Sequence, residues 1–431
     1  MVPSGEAVPG RVRPHGKLGR DFWTLWSAST VSIVGDGLYL SALPLITLLY
    51  TDDPLQISLV TAASTLPWLL FGLIGGALVD RWDRLRIMWI TDLARFAVVG
   101  GLALVLLTGH GSVAVLAVVA FLLATGETLY VTASQSVLPA LVQRDPHQLK
   151  RANSRLFGAH LLARDFGGKP LGGALFSVAP GLPILIDAVS FAAGSALVGL
   201  IGRGERGAAG PSATVERQGL FRSVRAGMRW LWHNRLLRTL ALLVAVGNMV
   251  TAAWMVLLAL LARDRLGISG FGFGVLTACL GIGGALGSLV AVRCSDRFGL
   301  ARTMVSVMLL EALATAGAGL AGHPVATGAM LLLMGASALV WNILTVTLRQ
   351  TIVPDKLYGR VNSAFRLLAM GTAPLGAVLG GLAGNAFPLP VTFVLGGAVI
   401  AVAALFSVRV VNKRNVDKVV ADAEVAAASS S

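Results

Sequence analysis

The sequence predicts an all-α membrane protein of twelve transmembrane helices arranged as two six-helix halves. Three observations lead there. The 431-residue chain is 55% hydrophobic and only 13% charged, with a mean hydropathy of +0.76, whereas soluble domains carry about 25% charged residues. Apolar segments recur at lengths near or above the roughly 20 residues that cross a bilayer core of about 30 Å. The chain also repeats itself at an offset of about 215 residues, half its length.

Residues 1–20 hold Arg11, Arg13, Lys17 and Arg20 but no apolar core, which makes them a cytoplasmic arm and not a cleavable signal. Spans follow at 21–50, 54–79, 87–108, 113–142, 156–178 and 183–201, giving a first bundle of residues 21–201. Residues 202–235 break the pattern, beginning Gly- and Arg-rich. Leu220, Phe221, Val224, Met228 and Leu231 then recur at helical spacing, with Arg222, Arg225 and Arg229 on another face. Such a helix is expected to lie on the cytoplasmic leaflet and tether the halves. Spans resume at 236–262, 271–292, 303–321, 325–348, 361–384 and 391–408, giving a second bundle of residues 236–411, and 412–431 form a cytoplasmic tail. The 51 glycines suit close helix packing, because lipid removes the hydrophobic drive for association and small residues let backbones approach.

The repeat rests on polar residues in collinear order. Asp80, Arg81 and Arg86 recur as Asp296, Arg297 and Arg302; Gln135 and Pro139 recur as Gln350 and Pro354; Asn153 and Ser154 recur as Asn362 and Ser363. Six spans per copy make a parallel repeat about an axis along the membrane normal, as in transporters that rock two bundles around a central site.

The net charge of +14 is a topology signal. Of 35 Lys and Arg, 29 fall in segments that face the cytoplasm if the N-terminus does, while the opposite loops hold only Arg263 and Arg265. The positive-inside rule thus places both termini in the cytoplasm of a multi-pass cell-membrane protein, and nucleic acid is not an expected partner. The two cysteines, Cys279 and Cys294, are too few for a disulfide framework. No P-loop or Rossmann fingerprint is present, and the six histidines show no metal-ligand spacing. No cofactor, metal or enzymatic chemistry is therefore expected, and the chain is expected to act as a monomer.

The stretch Gly75 to Arg86, GGALVDRWDRLR, resembles the loop between helices 2 and 3 of the major facilitator superfamily, G-x-L-x-D-R-x-G-R-[KR]. Gly76, Leu78, Asp80, Arg81 and Arg84 match, Asp83 replaces the usual glycine, and Leu85 stands at the final basic position. In that family the loop is a gating latch, which implies a gating role for Gly76, Asp80, Arg81 and Arg84, and in the second copy for Asp296 and Arg297. Gly35-Asp36-Gly37, Asp92 to Arg95, Pro139, Pro170 to Gly173 and Asp187 to Phe191 are similar to the drug:proton antiporter branch with macrolide-efflux and enterobactin-type exporters. The resemblance spans about residues 20–411, with Glu127 at mid-span where other antiporter branches carry an arginine-bearing helix 4 motif. It implies the major facilitator fold, with helices 1, 4, 7 and 10 lining a cavity.

A charge at the bilayer centre costs about 2.5–3.5 kcal/mol on insertion scales, so every intramembrane ionisable group needs a partner, a wet cavity or a task. Asp36 lies about 22 Å along helix 1 at 1.5 Å per residue, and Glu127 is similarly deep in helix 4. Both are candidates for proton coupling or cation contact, or for plain packing. Arg164, Asp165 and Lys169 cluster in helix 5, with Asp165 and Lys169 at an i, i+4 spacing. They form a self-neutralised cluster, or a counter-charge to Asp36 or Glu127, with Asp165 a third coupling candidate. Arg366 in helix 11 poses the same choice. Asp92 and Arg95 read as a structural salt bridge, and Asp187 and Glu311 as peripheral. Tyr39, Trp68, Trp254, Met255, Trp341 and Phe365 offer aromatic and soft apolar cavity walls, and Asn248 and Asn342 uncharged polar contacts. Together these imply a secondary transporter that exports small amphipathic solutes in exchange for protons, with the bilayer, a small-molecule substrate and protons as its partners. A proton-coupled importer or a lipid translocator is the alternative on the same fold.

Overall fold

The computed structural model describes residues 18–79, 82–142, 145–201 and 220–428. Most of the N-terminal arm, residues 1–17, and the Gly- and Arg-rich start of the linker, residues 202–219, lie outside them. The described residues hold sixteen α-helices, two π-helical stretches and no strand. The first half contains α1 (Arg20–Thr47), α2 (Pro54–Val79), α3 (Arg84–Leu107) and α4 (Val113–Leu141). A fifth helix follows in three parts, α5 (Pro146–Ala159), a π-helical stretch (His160–Gly168) and α6 (Lys169–Val178), before α7 (Leu182–Gly199) closes the half. After α8 (Leu220–His233), the second half runs through α9 (Arg235–Leu260), α10 (Gly270–Phe298), α11 (Leu300–Leu320) and α12 (Pro324–Ile352). It ends with the broken helix α13 (Asp355–Gly371) and α14 (Ala373–Ala386), then α15 (Leu389–Ser407) and α16 (Lys413–Ala428).

Eleven of these stretches are long and apolar enough to span a membrane. The twelfth expected span is the fifth helix, whose Arg164, Asp165 and Lys169 lower its hydropathy but which runs unbroken from Pro146 to Val178.

Local chemistry sets the helix starts. Asp83, one of the two residues that depart from the resemblance pattern, caps α3 by accepting hydrogen bonds from the Leu85 and Arg86 backbone N–H groups. Ser112 caps α4 and Asn234 caps α9 in the same way. Between α10 and α11 the chain turns at Gly299, whose φ of 85° is open to glycine and costly for a side chain.

The repeat reappears as packing. In the first half α1 packs on the fifth helix and α7, α2 on α4, and α3 on α4 and α7. The second half repeats each pairing with α9, α10, α11, α12, α13–α14 and α15 in the same order. The halves meet through matched partners, α2 against α14 and α6 against α10. Their interiors differ. The second half has one continuous apolar core, whereas the first has two. One gathers Phe22, Leu25, Met88 and Leu138 near the termini, and the other Leu43, Val99, Leu102 and Leu116 at the distal end.

Two elements outside the spans, the linker helix and the C-terminal tail, are more tightly docked than their sequences suggest. The backbone of Gly227 in α8 lies directly on the Arg360 carbonyl of α13, so this helix rests on protein and not on lipid alone. The tail forms α16, which packs on α11 and α12 with Val416 buried.

Candidate transport site

Between the two apolar cores of the first half lies a polar layer, and glycine builds it. A side-chain carbon on Gly35 would overlap Ser190 and Asp187 of α7. One on Gly37 would stand 2.7 Å from the Arg164 carbonyl oxygen and 2.8 Å from Gly168 Cα in the fifth helix. Asp36, between these glycines, is thereby carried into the bundle interior, where Arg95 of α3 donates to its carboxylate. The Arg95 guanidinium lies 3.9 Å from the centre of the Phe191 ring and 3.8 Å from Asp92. Asp92 accepts a hydrogen bond from Ser32 at 3.4 Å. Asp187 accepts one from Ser190 at 3.4 Å, and its Oδ2 has no partner among the described residues.

One expectation is extended here and one corrected. Arg95 pairs with Asp92 as its spacing suggests, and it also reaches across to α1, where Asp36 offers the closer carboxylate. Asp187 is not peripheral: it is fully buried beside Gly35, since α7 presses against α1. Tyr39 is also buried in this bundle, its hydroxyl without a partner among the described residues.

Glu127 lies in α4 and makes an ion pair with Arg164 of the fifth helix at 2.9 Å, the two side chains 17% and 20% exposed. His160, which its spacing gave no reason to single out, lies 3.5 Å from the same guanidinium. The stretch that carries Asp165 and runs into Lys169 adopts π geometry, in which the Lys169 N–H bonds to the Arg164 carbonyl five residues back. The close passage of Gly37 over Arg164 and Gly168 accompanies this wider turn. The Asp165 side chain lies outside the described residues.

The aromatic and polar candidates of the second half do converge. Asn248, Trp341, Asn342, Phe365 and Arg366 line a cavity of about 250 Å³ together with Glu311 and Arg349. Lys169, Trp254, Met255 and Asn342 line a second of about 400 Å³, again with Glu311. Glu311 is therefore not peripheral, because α11 turns this residue inward toward α9 and α12. Arg349, absent from the expected set, stacks 4.1 Å from the Phe365 ring centre. Asn248 donates to the Ala369 carbonyl at 2.6 Å and so also ties α9 to α13. Trp68 is half-buried in α2.

Of the gating residues, Asp80 and Arg81 lie outside the described residues, as does the surrounding of Gly76 in α2. Arg84 donates to the Ser136 carbonyl of α4 at 3.2 Å, fastening the start of α3. Asp296 and Arg297 are exposed at the end of α10, Arg297 near the Phe298 ring.

Among the described residues, the polar contacts between the halves all lie at the end distal to the termini. Asp52 pairs with Arg263 at 2.7 Å, Asn385 donates to Asp53 at 2.8 Å, and the Phe271 N–H donates to the Ser177 hydroxyl at 3.1 Å. The Asn385 amide and the Leu55 N–H hold the Asp53 carboxyl below its ordinary range, near 3.8. A lowered folded-state value means that the contribution is complete above pH 3.8 and fades as pH falls below it. Asp53→Asn is accordingly expected to lower the melting temperature by a constant amount above about pH 4, a difference that vanishes in stronger acid. Thermal unfolding in detergent across that range checks it, and a difference independent of pH would refute the assignment.

This fold and this arrangement define a multi-pass membrane transporter of the major facilitator class. The profile of the transmembrane secretion effector family matches residues 18–427, and the chain belongs to that family. It is similar to the multidrug efflux pump Tap of Mycolicibacterium fortuitum, 31% identical over 379 residues covering 86% of this chain and 90% of the pump. It is also similar to the multidrug efflux pump Tap of Mycobacterium tuberculosis, 28% identical over 401 residues covering 90% of this chain and 93% of the pump. In fold it is similar to a bacterial homologue of the iron transporter ferroportin in an inward-facing state, with a TM-score of 0.71, 19% identity, and coverage of 91% and 98%. It also resembles a bacterial homologue of the lysosomal transporter Spinster, inward-facing and unoccupied, with a TM-score of 0.68, 14% identity, and coverage of 90% and 94%.

Proposed function

We propose that the protein exports small amphipathic solutes, of drug, antibiotic or siderophore type, by alternating access in exchange for protons. The Glu127–Arg164 ion pair is the observation that carries this reading. It joins two helices of the first half, is partly open to solvent, and can be broken by a proton in place of the guanidinium. Losing that tie would free the fifth helix to shift. Relatives that are multidrug efflux pumps over nine-tenths of their length support export. One proton moving down 100 mV is worth about 2.3 kcal/mol, roughly a fifty-fold gradient of a neutral solute.

In this scheme residues 21–201 and 236–411 are the rocking units and residues 202–235 their tether. Both termini lie in the cytoplasm, the Asp52–Arg263 contact is the outer closure, and the protein works as a monomer in the cell membrane. Asp36, held by Arg95, is the second candidate carrier and Asp165 the third. Arg164, Lys169, Asn248, Trp254, Met255, Trp341, Asn342, Phe365 and Arg366 contact substrate, with Tyr39 and Trp68 as further cavity candidates. The loop of Gly76, Asp80, Arg81 and Arg84 gates the inner side, with Asp296 and Arg297 as its counterpart.

The test is proton release from reconstituted protein on adding hydrophobic cations, macrolides or catecholate siderophores. Wild type is expected to release protons, Glu127→Gln to lose at least nine-tenths of the signal while still binding, and Asp36→Asn to show whether the deeper carboxylate shares the task. Binding without proton release in wild type would refute antiport and favour a uniporter or lipid translocator.

A further inference from the structure

Glu311 is the group that the fold leaves least explained. It sits mid-way along α11, and it lines both of the cavities described above, which also share Thr251, Ala338 and Asn342. It is the only carboxylate among the described residues lining either one. Its backbone carbonyl accepts from Thr315, yet its carboxylate has no hydrogen bond and no ion pair among the described residues. A carboxylate within a membrane helix, facing a cavity and unpaired, is costly unless something else meets it.

The cavities do hold cations, but these are engaged elsewhere or set apart. Arg349 stacks on Phe365, and it lies seven residues beyond Asn342 on α12, about 10 Å toward the cytoplasmic end. Arg366 is exposed in α13. Lys169 reaches the second cavity from the fifth helix and is engaged in an interaction of its own. None of the three lies within ion-pairing distance of Glu311. What surrounds the carboxylate is aromatic and soft: Trp341 in the first cavity, Trp254 and Met255 in the second. Aromatic faces attract cations, and a flexible thioether adapts to varied shapes.

We infer that Glu311 determines charge selectivity: its carboxylate takes the ammonium or delocalised cation of an amphipathic solute whose apolar body lies against Trp341, Trp254 and Met255. The inference rests on the export reading and adds to it the kind of solute favoured and the residue that favours it. Attraction between opposite charges is strong in a low-dielectric cavity, so a cationic solute gains there what a neutral one of the same shape does not. Asn342, which lines both cavities beside Glu311, positions the solute by hydrogen bonding.

The experiment compares tetraphenylphosphonium with the neutral triphenylphosphine oxide, binding each to purified full-length protein by calorimetry. Wild type is expected to bind the cation at least tenfold more tightly than the oxide. Glu311→Gln should weaken the cation tenfold or more and leave the oxide within twofold, while Glu311→Asp keeps most of the preference. If Glu311→Gln does not purify as a folded protein, Asn342→Lys supplies a competing ammonium in the same place and should abolish the same preference. Unchanged cation affinity in Glu311→Gln, with both probes bound by wild type, overturns the role of Glu311 and leaves the export reading standing. A wild type that binds neither probe overturns both. Charge preference lost in Glu311→Gln without proton release in wild type upholds the role of Glu311 and overturns the antiport.

Discussion

Arg95→Leu is expected to destabilise the protein by about 3–5 kcal/mol, the cost of removing one partner from a buried ion pair. Arg95 is the cation that Asp36 and Asp92 share, and both are buried, as is Asp187 beside them. Without it, either these carboxylates bind protons or water enters the layer between the two apolar cores. Arg95→Lys should recover only part of the loss. An ammonium supplies charge but neither the flat stacking surface that meets Phe191 nor the reach to two carboxylates at once. Asp36→Asn should cost less than Arg95→Leu, because Asp92 then still pairs with the arginine. Thermal unfolding of the three variants in one detergent ranks them; equal stability of Arg95→Leu and wild type would refute the layer's structural role.

The second large effect is expected at the contact between halves. A side-chain carbon on Gly173 of α6 would overlap the Gly270 carbonyl and stand 3.0 Å from the Gly274 nitrogen of α10. Backbone cannot step aside as a side chain can, so Gly173→Val has to part the two helices. It is expected to open the distal end, to separate Asp52 from Arg263 and Asp53 from Asn385, and to reduce transport at least tenfold by preventing re-closure. Reversing a two-state preference of 99 to 1 takes about 5.5 kcal/mol, within reach of a steric conflict with backbone on two sides. Spin labels at residues 52 and 385 should move apart in Gly173→Val. Gly172→Val, whose conflict is with Leu38 in the same half, should lower stability without that separation. Unchanged spacing in Gly173→Val would refute the idea that this contact holds the halves shut.

Much of this architecture is legible in the sequence because hydropathy and repetition act over long stretches. The span limits and the two-fold pairing of helices follow from residues such as Asp80 and Asp296, which mark the same place in each copy. The site is less legible, because contacts across 59 residues, such as Arg95 with Asp36, leave no spacing to read. The three-residue interval from Asp92 to Arg95 points to a local pair, and geometry adds a remote one. In the fifth helix, no residue spacing announces the π turn at His160–Gly168, where the backbone bonds reach five residues back instead of four. Glu311 and Asp187 look outlying when helices are ranked by their usual position in a bundle. Their side chains nevertheless point inward, which only the rotation of each helix decides.

The charged layer of the first half also bears on how the protein is made. Asp36 and Arg95 lie in the first and third spans, so a ribosome adding about 5–20 residues per second leaves some 3–12 s between them. In that interval Asp36 enters the membrane without its arginine. Once α3 follows, the two can neutralise each other before half of the chain exists. Asp187 arrives three spans later and has to join a pair already formed. The order of synthesis thus matches the order of need, and a variant at Arg95 would fail first during insertion, before any solute meets the finished transporter.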